Sequence, residues 1–167
     1  MPTIFRALTA ALALAAAAPL AARAQTAEVA FGGIKADPEL PVEVTSERLA
    51  VNQNDGTALF TGDVVVIQGE MRLTAPKVLV EYATGDQRRI ERMHATGGVT
   101  LVSATEAAES DEAVYTVDTG EVVMTGSVLL TQAGSTIAGK VLTVDLTTGT
   151  GQMEGRVRTI LQPGTQK

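Results

Sequence analysis

The 167-residue chain carries 13 Lys and Arg against 19 Asp and Glu, with no Cys, no Trp and one His. That acidic balance excludes the cation-lined surface a nucleic-acid partner requires. Disulfides and thiolate chemistry are excluded outright, and a lone His94 excludes a multi-histidine metal site.

Residues 1–24 read as a secretory signal. Arg6 precedes an Ala/Leu run over 7–20, and Ala22-Arg23-Ala24 is a small-x-small cleavage motif ahead of Gln25. The run is shorter and less bulky than a membrane span, although an uncleaved anchor is the alternative. Cleavage after Ala24 leaves 143 residues, enough for one domain, and lowers the formal net charge to −8, because Arg6 and Arg23 leave with the leader. Such a product belongs outside the cytoplasm, in the periplasm of a bacterium with two membranes.

Residues 25–41, with Gly32-Gly33, Pro38 and Pro41, form an extended lead-in. Regular structure is expected over 42–161. Residues 47–52 and 57–60 read as a hairpin about Asp55-Gly56. The densest β-branched stretches follow at 63–68 and 71–82, and Pro76 marks an edge, a bulge or a break in the second. Strands are expected at 88–95 and 99–103, and then a short acidic helix or loop at 104–111. Further strands fall at 113–117, 121–125, 126–132, 136–146 and 152–161, before a polar tail at 162–167. Short strands between glycine-containing turns predict an all-β sandwich or barrel-like stack, with no amphipathic helix for a βαβ unit.

A repeat runs through these strands. Gly-x-Val recurs at Gly62, Gly97, Gly126 and Gly155, and GTALFTGDVVVIQ at Gly56 is echoed by GEVVMTGSVLLTQ at Gly120. Gln68 and Gln132 share a register in that echo. The pattern predicts stacked hairpins, each glycine following a turn. Strand alternation assigns Val64, Val66, Val99, Leu101, Val128 and Leu130 to the interior, and Val65, Thr100 and Leu129 to the outer face. Edge strands of the stack are expected at Val42 and Val44 and at Val157 and Thr159, where unpaired backbone groups can extend a neighbour's sheet.

Chemistry-bearing motifs are missing. There is no Gly-x-Ser-x-Gly elbow, phosphate loop or His-Glu-x-x-His, so no catalytic residue, metal ligand or cofactor is assigned. Arg88, Arg89 and Arg92 form the one basic cluster. It is a solvated rim, or alternatively a contact for an anionic head group or acidic partner.

The segments SERLAVNQNDGTALFTGDVVVIQGEMRLTAPKVLVEY, IERMHATGGVTLV and AVYTVDTGEVVMTGSVLLTQAGSTIAGKVLTVD resemble the OstA-like family of lipopolysaccharide export, most closely its small periplasmic bridge component. Gly98 and Ser127 stand where that family commonly has Asp or Asn. The resemblance implies a twisted, open β-jellyroll whose aliphatic groove holds acyl chains, lined by Val64, Val66, Val99, Leu101, Val128 and Leu130. It further implies head-to-tail self-association, and bridging between an inner-membrane transport complex and an outer-membrane translocon. A structural envelope protein with a dry core and a carrier of another lipid, such as phospholipid, are the alternatives.

Overall fold

The structure, a computed structural model, describes residues 27–30 and 39–161; the side chains of 27–30 and 86–88 are outside that description. The signal segment expected at 1–24 and the tail at 162–167 lie outside the described residues.

Eleven strands form one sheet: β1 (Ala27–Ala30), β2 (Glu43–Thr45), β3 (Arg48–Asn52), β4 (Thr57–Gln68), β5 (Met71–Ala83), β6 (Asp86–Val102), β7 (Glu106–Thr116), β8 (Glu121–Gln132), β9 (Ser135–Asp145), β10 (Thr150–Glu154) and β11 (Arg158–Ile160). From β4 to β10 each strand pairs antiparallel with the next in sequence. β2 and β3 lie end to end along β4, and β10 and β11 along β9. β1, inside the stretch expected to be a lead-in, adds to the far side of β10. Among the described residues the two ends of the sheet do not pair, so the sheet is open rather than a closed barrel.

β4, β6 and β8, at 12, 17 and 12 residues, each join two segments the sequence reading kept apart. The repeat glycines explain the discrepancy. Gly62, Gly97 and Gly126 do not follow turns but sit mid-strand, at bulges, and Gly155 lies in the break between β10 and β11. Register shifts fall between Thr61 and Val64, Thr74 and Lys77, Thr96 and Val99, Glu109 and Glu112, and Thr125 and Val128. The same line passes through the breaks between β2 and β3 and between β10 and β11. It is a seam crossing the whole sheet.

Each repeat glycine receives the seam side chain of the preceding strand: Glu47 at Gly62, Pro76 at Gly97, Asp111 at Gly126 and Lys140 at Gly155. At Gly126 the backbone has φ +106°, and a Cβ would collide with the Asp111 carboxylate. Only glycine satisfies both constraints. Asp111 Oδ2 also accepts the Ser127 N–H at 3.0 Å, so one carboxylate fixes the bulge. Pro76 occupies the seam of an interior strand, where the bulge removes the need for its missing N–H.

The seam divides the sheet in two. One half holds β2, β11, the C-terminal parts of β4, β6 and β8 and the N-terminal parts of β5, β7 and β9; we call it the rim half. The other, the base half, holds β1, β3, β10 and the remaining parts. Inward-facing residues of both halves belong to one apolar core. Tyr115, in the base half, donates its hydroxyl to Gln68 Oε1 at 2.7 Å, at the tip of the rim half. The sheet is therefore folded over along its seam, as an open β-jellyroll. The acidic stretch at 104–111 is not a helix: its inward Glu106, Ala108 and Ser110 alternate with Ala107, Glu109 and Asp111, and both neighbouring strands are long enough to pair with it.

Candidate functional site: an aliphatic interior with a polar rim

The six residues assigned to the interior phase are all buried, at 0–2 % exposure, and all lie in the rim half. Cross-strand pairing sets them in rows. The middle row runs Val44, Val66, Leu73, Leu101, Ala108, Leu130, Ile137, one residue per strand. The row nearest the seam pairs Val64 with Ala75, Val99 with Ser110 and Val128 with Gly139. In this seam row the bulky side chains come from β4, β6 and β8, and the small ones from β5, β7 and β9. Leu73 and Ala108 were not singled out in the sequence because they lie outside the Gly-x-Val segments.

A third row closes the rim half and is polar apart from the buried Met71, which pairs with Gln68. The sixth residue beyond each of three repeat glycines is Gln68, Ser103 or Gln132. The alignment of Gln68 with Gln132 was visible in the sequence, but its meaning was not. Gln68 is fully buried and fully engaged. It accepts from Tyr115 and donates Nε2–H to the Leu40 carbonyl at 3.0 Å. These two bonds clasp the halves and the segment entering β2. Gln132 donates to Glu106 Oε1. Glu106 Oε2 and Ser103 Oγ are buried with no hydrogen-bond partner among the described residues.

Beside the clasp, Glu39, Leu40 and Val42 face Arg89, Ile90, Val117 and Asp118 across a cleft of about 460 Å³. Arg89 pairs with Asp118 at 2.7 Å, and Arg92 with Glu81 at 2.5 Å, which holds the Glu81 carboxyl below its usual value. The side chain of Arg88 lies outside the described residues. The cluster is thus partly neutralised by its own sheet. His94 faces Glu112 at 3.2 Å on the outer surface. Burial raises the Tyr115 phenol above its ordinary value.

The expected edges are unequal. Val44 lies in β2, at one end of the sheet, with half-buried Val42 just ahead of it. The adjoining β3 exposes Leu49 and Val51. At the other end Thr159 lies in β11, whereas Val157 falls in the break before it and packs against the core. β1 covers β10, so only the β11 part of that end lacks a further strand among the described residues.

Residues 43–150 match the family model described as LptA/(LptD N-terminal domain) LPS transport protein. The chain is 28 % identical over 157 residues to the uncharacterized protein R00383 of Rhizobium meliloti (strain 1021), covering 88 % of this chain and 84 % of that one. Its fold matches the crystal structure of LptH, the LptA homologous periplasmic component of the lipopolysaccharide transport device of Pseudomonas aeruginosa. That likeness has a TM-score of 0.68 at 21 % identity, over 77 % of this chain and 99 % of that one. A seam-folded, unclosed β-jellyroll and a family model spanning most of its strands lead to one conclusion: the chain belongs to the LptA/(LptD N-terminal domain) LPS transport protein family.

Proposed function

We propose that the chain is a non-enzymatic periplasmic carrier that shields lipopolysaccharide acyl chains between the two halves of its sheet and serves as a segment of a bridge between the membranes. One observation carries this reading: the rim half lays a continuous aliphatic row across seven strands, from Val44 to Ile137, and beyond it, Met71 apart, places the polar Gln68, Ser103, Glu106 and Gln132. An amphiphile has the same division. Each buried CH₂ contributes about 0.8 kcal/mol, so shielding several acyl chains needs no nucleotide site in this chain. Energy for transport would come from the inner-membrane complex.

Val64, Val66, Val99, Leu101, Val128 and Leu130 line the groove in this reading. Their burial means that lipid gains access by parting the halves at the Gln68–Tyr115 clasp. Arg89 and Arg92 contact a head group only by exchanging Asp118 and Glu81 for it. Successive copies join head to tail through β11 of one and β2 of the next, the base-half edge at β10 being occupied by β1. The same pairing mode would attach the end copies to the inner-membrane complex and the outer-membrane translocon. Residues 1–24 direct export, and a mature N-terminus at Gln25 is the expected product.

The sealed interior also favours a second reading, a structural sheet with a dry core. Photoreactive side chains at Leu101 and Leu130, with Thr100 as the outward control, separate the two. Capture of lipopolysaccharide at the first two positions and not the third supports the carrier. Absence of capture at all three in a folded protein leaves the dry sheet.

A further inference from the structure

We propose that Glu106 and Ser103 form an acceptor site for an N–H or O–H group of the bound amphiphile, placed where its acyl chains meet its polar part. The proposal rests on the carrier reading. Glu106 is 5 % exposed, lies on the inward phase of β7 and belongs to the polar row at the rim. Gln132 holds one of its carboxyl oxygens; the other, Oε2, has no partner among the described residues, and neither has Ser103 Oγ. The Ser103 N–H donates to the Glu106 carbonyl at 3.0 Å, so the turn that carries both side chains is fixed before any ligand arrives.

The first repeat shows what a completed rim position looks like. Gln68 has its oxygen and its nitrogen both engaged, by Tyr115 and Leu40. Glu106 has half of that provision. Leaving a buried acceptor without a donor costs stability, and an apolar residue here would avoid the cost. The donor is supplied by a ligand.

Chemistry narrows the ligand group. A carboxylate accepts and repels anions, so phosphate is excluded from this position and an amide or hydroxyl is favoured. Geometry places it. Ala108, in the aliphatic row, is two residues from Glu106, about 7 Å along the strand. The donor is therefore a few atoms from the start of an acyl chain lying along Leu101, Ala108 and Leu130: an amide N–H or a hydroxyl on the chain's first carbons.

The test uses the full exported chain and two probes with the same acyl chain, a long-chain fatty-acid methyl ester and its β-hydroxy counterpart. Each displaces an environment-sensitive dye from the apolar interior. The hydroxy ester is expected to bind about tenfold more tightly, the difference one charge-assisted hydrogen bond makes. In Glu106→Leu the advantage disappears and affinity for the plain ester is retained. Ser103→Ala halves or thirds the advantage and serves as the second variant should Glu106→Leu not fold. Equal affinity of the two esters for the unaltered protein, or an advantage that survives both substitutions, overturns the acceptor site while leaving the carrier reading intact. If neither ester nor purified lipopolysaccharide displaces the dye, the carrier reading fails and the site with it.

Discussion

The two halves of the folded sheet have the same strand count along β4 to β9 but opposite economies of polar contact. The base half is tied down except along β3, which pairs with β4 alone among the described strands. Its outer face carries Arg89–Asp118, Arg92–Glu81 and His94–Glu112, and Asp145 at its tip accepts from the backbone of Thr147 and Thr148. Its interior adds Met93, Met124, Met153 and Tyr115 to aliphatic residues such as Val78, Val122 and Leu142, and β1 covers its C-terminal edge. The rim half has small and branched aliphatic residues with Met71 at its tip, two buried polar atoms without partners, and its end strand β11 uncovered among the described residues. Stability is concentrated in one half, and unsatisfied bonding capacity in the other. A protein that must open to lipid without unfolding benefits from that division.

The sharpest way to break the comparison is to place the same charge in each half. Leu142→Asp, in the base half, should prevent folding, since a carboxylate there has no polar group of the rim to reach. Leu130→Asp, two residues from Gln132, should leave a folded protein of lower stability that no longer retains lipopolysaccharide. Circular dichroism and lipid retention on the same samples check both. Equal collapse of the two variants would erase the distinction between the halves.

The seam itself comes next. Gly126→Val combines a forbidden φ with a collision at Asp111 and should cost about 3 kcal/mol or more, read from denaturant midpoints. Asp111→Ala removes only the bond to Ser127 and should cost about 1 kcal/mol. A Gly126→Val variant as stable as the parent would show that the bulge does not hold the fold.

Association tests the unequal edges. Successive N–H groups of a strand point to opposite sides, so of Arg158→Pro and Thr159→Pro one removes a donor to β9 and the other an outward donor. Sedimentation should find one variant destabilised and the other folded yet monomeric. Identical association in both would exclude β11 as the joint.

A modest effect is expected at the clasp. Tyr115→Phe should cost about 1–2 kcal/mol by leaving Gln68 Oε1 without its donor, and should speed lipid uptake. Because burial raises the folded-state pKa of Tyr115, its contribution is complete below pH 10 and declines as pH rises toward the folded value. The parent should therefore lose stability in that alkaline window by an increment that Tyr115→Phe lacks.

How far the sequence led depends on what each feature required. The interior phase was legible because Val64, Leu101 and Leu130 recur at fixed distances from a glycine, and a sheet turns such spacing directly into a face. The glycines themselves were misread as turn residues. Gly-x-Val has the same local composition at a hairpin as at a bulge, and only the pairing of β6 with β5 and β7 separates the two. Residues 104–111 were read as a helix or loop because acidic side chains crowd them; three of their inward positions are small or polar, so the alternation was faint. The rim was least legible. Gln68 looked like a repeat marker until Tyr115, 47 positions later, was found against it.

The central claim is that lipid lodges between the halves by parting them. With no cysteine in the chain, spin labels can be placed at will, one on Glu70 at the rim-half tip and one on Thr119 at the base-half tip, both exposed. The distance between them should lengthen by several ångströms when purified lipopolysaccharide is added, about a carbon chain's width, and Tyr115→Phe should show part of that longer population without lipid. Saturating lipopolysaccharide that binds the labelled protein and leaves the distance distribution unchanged would contradict the account.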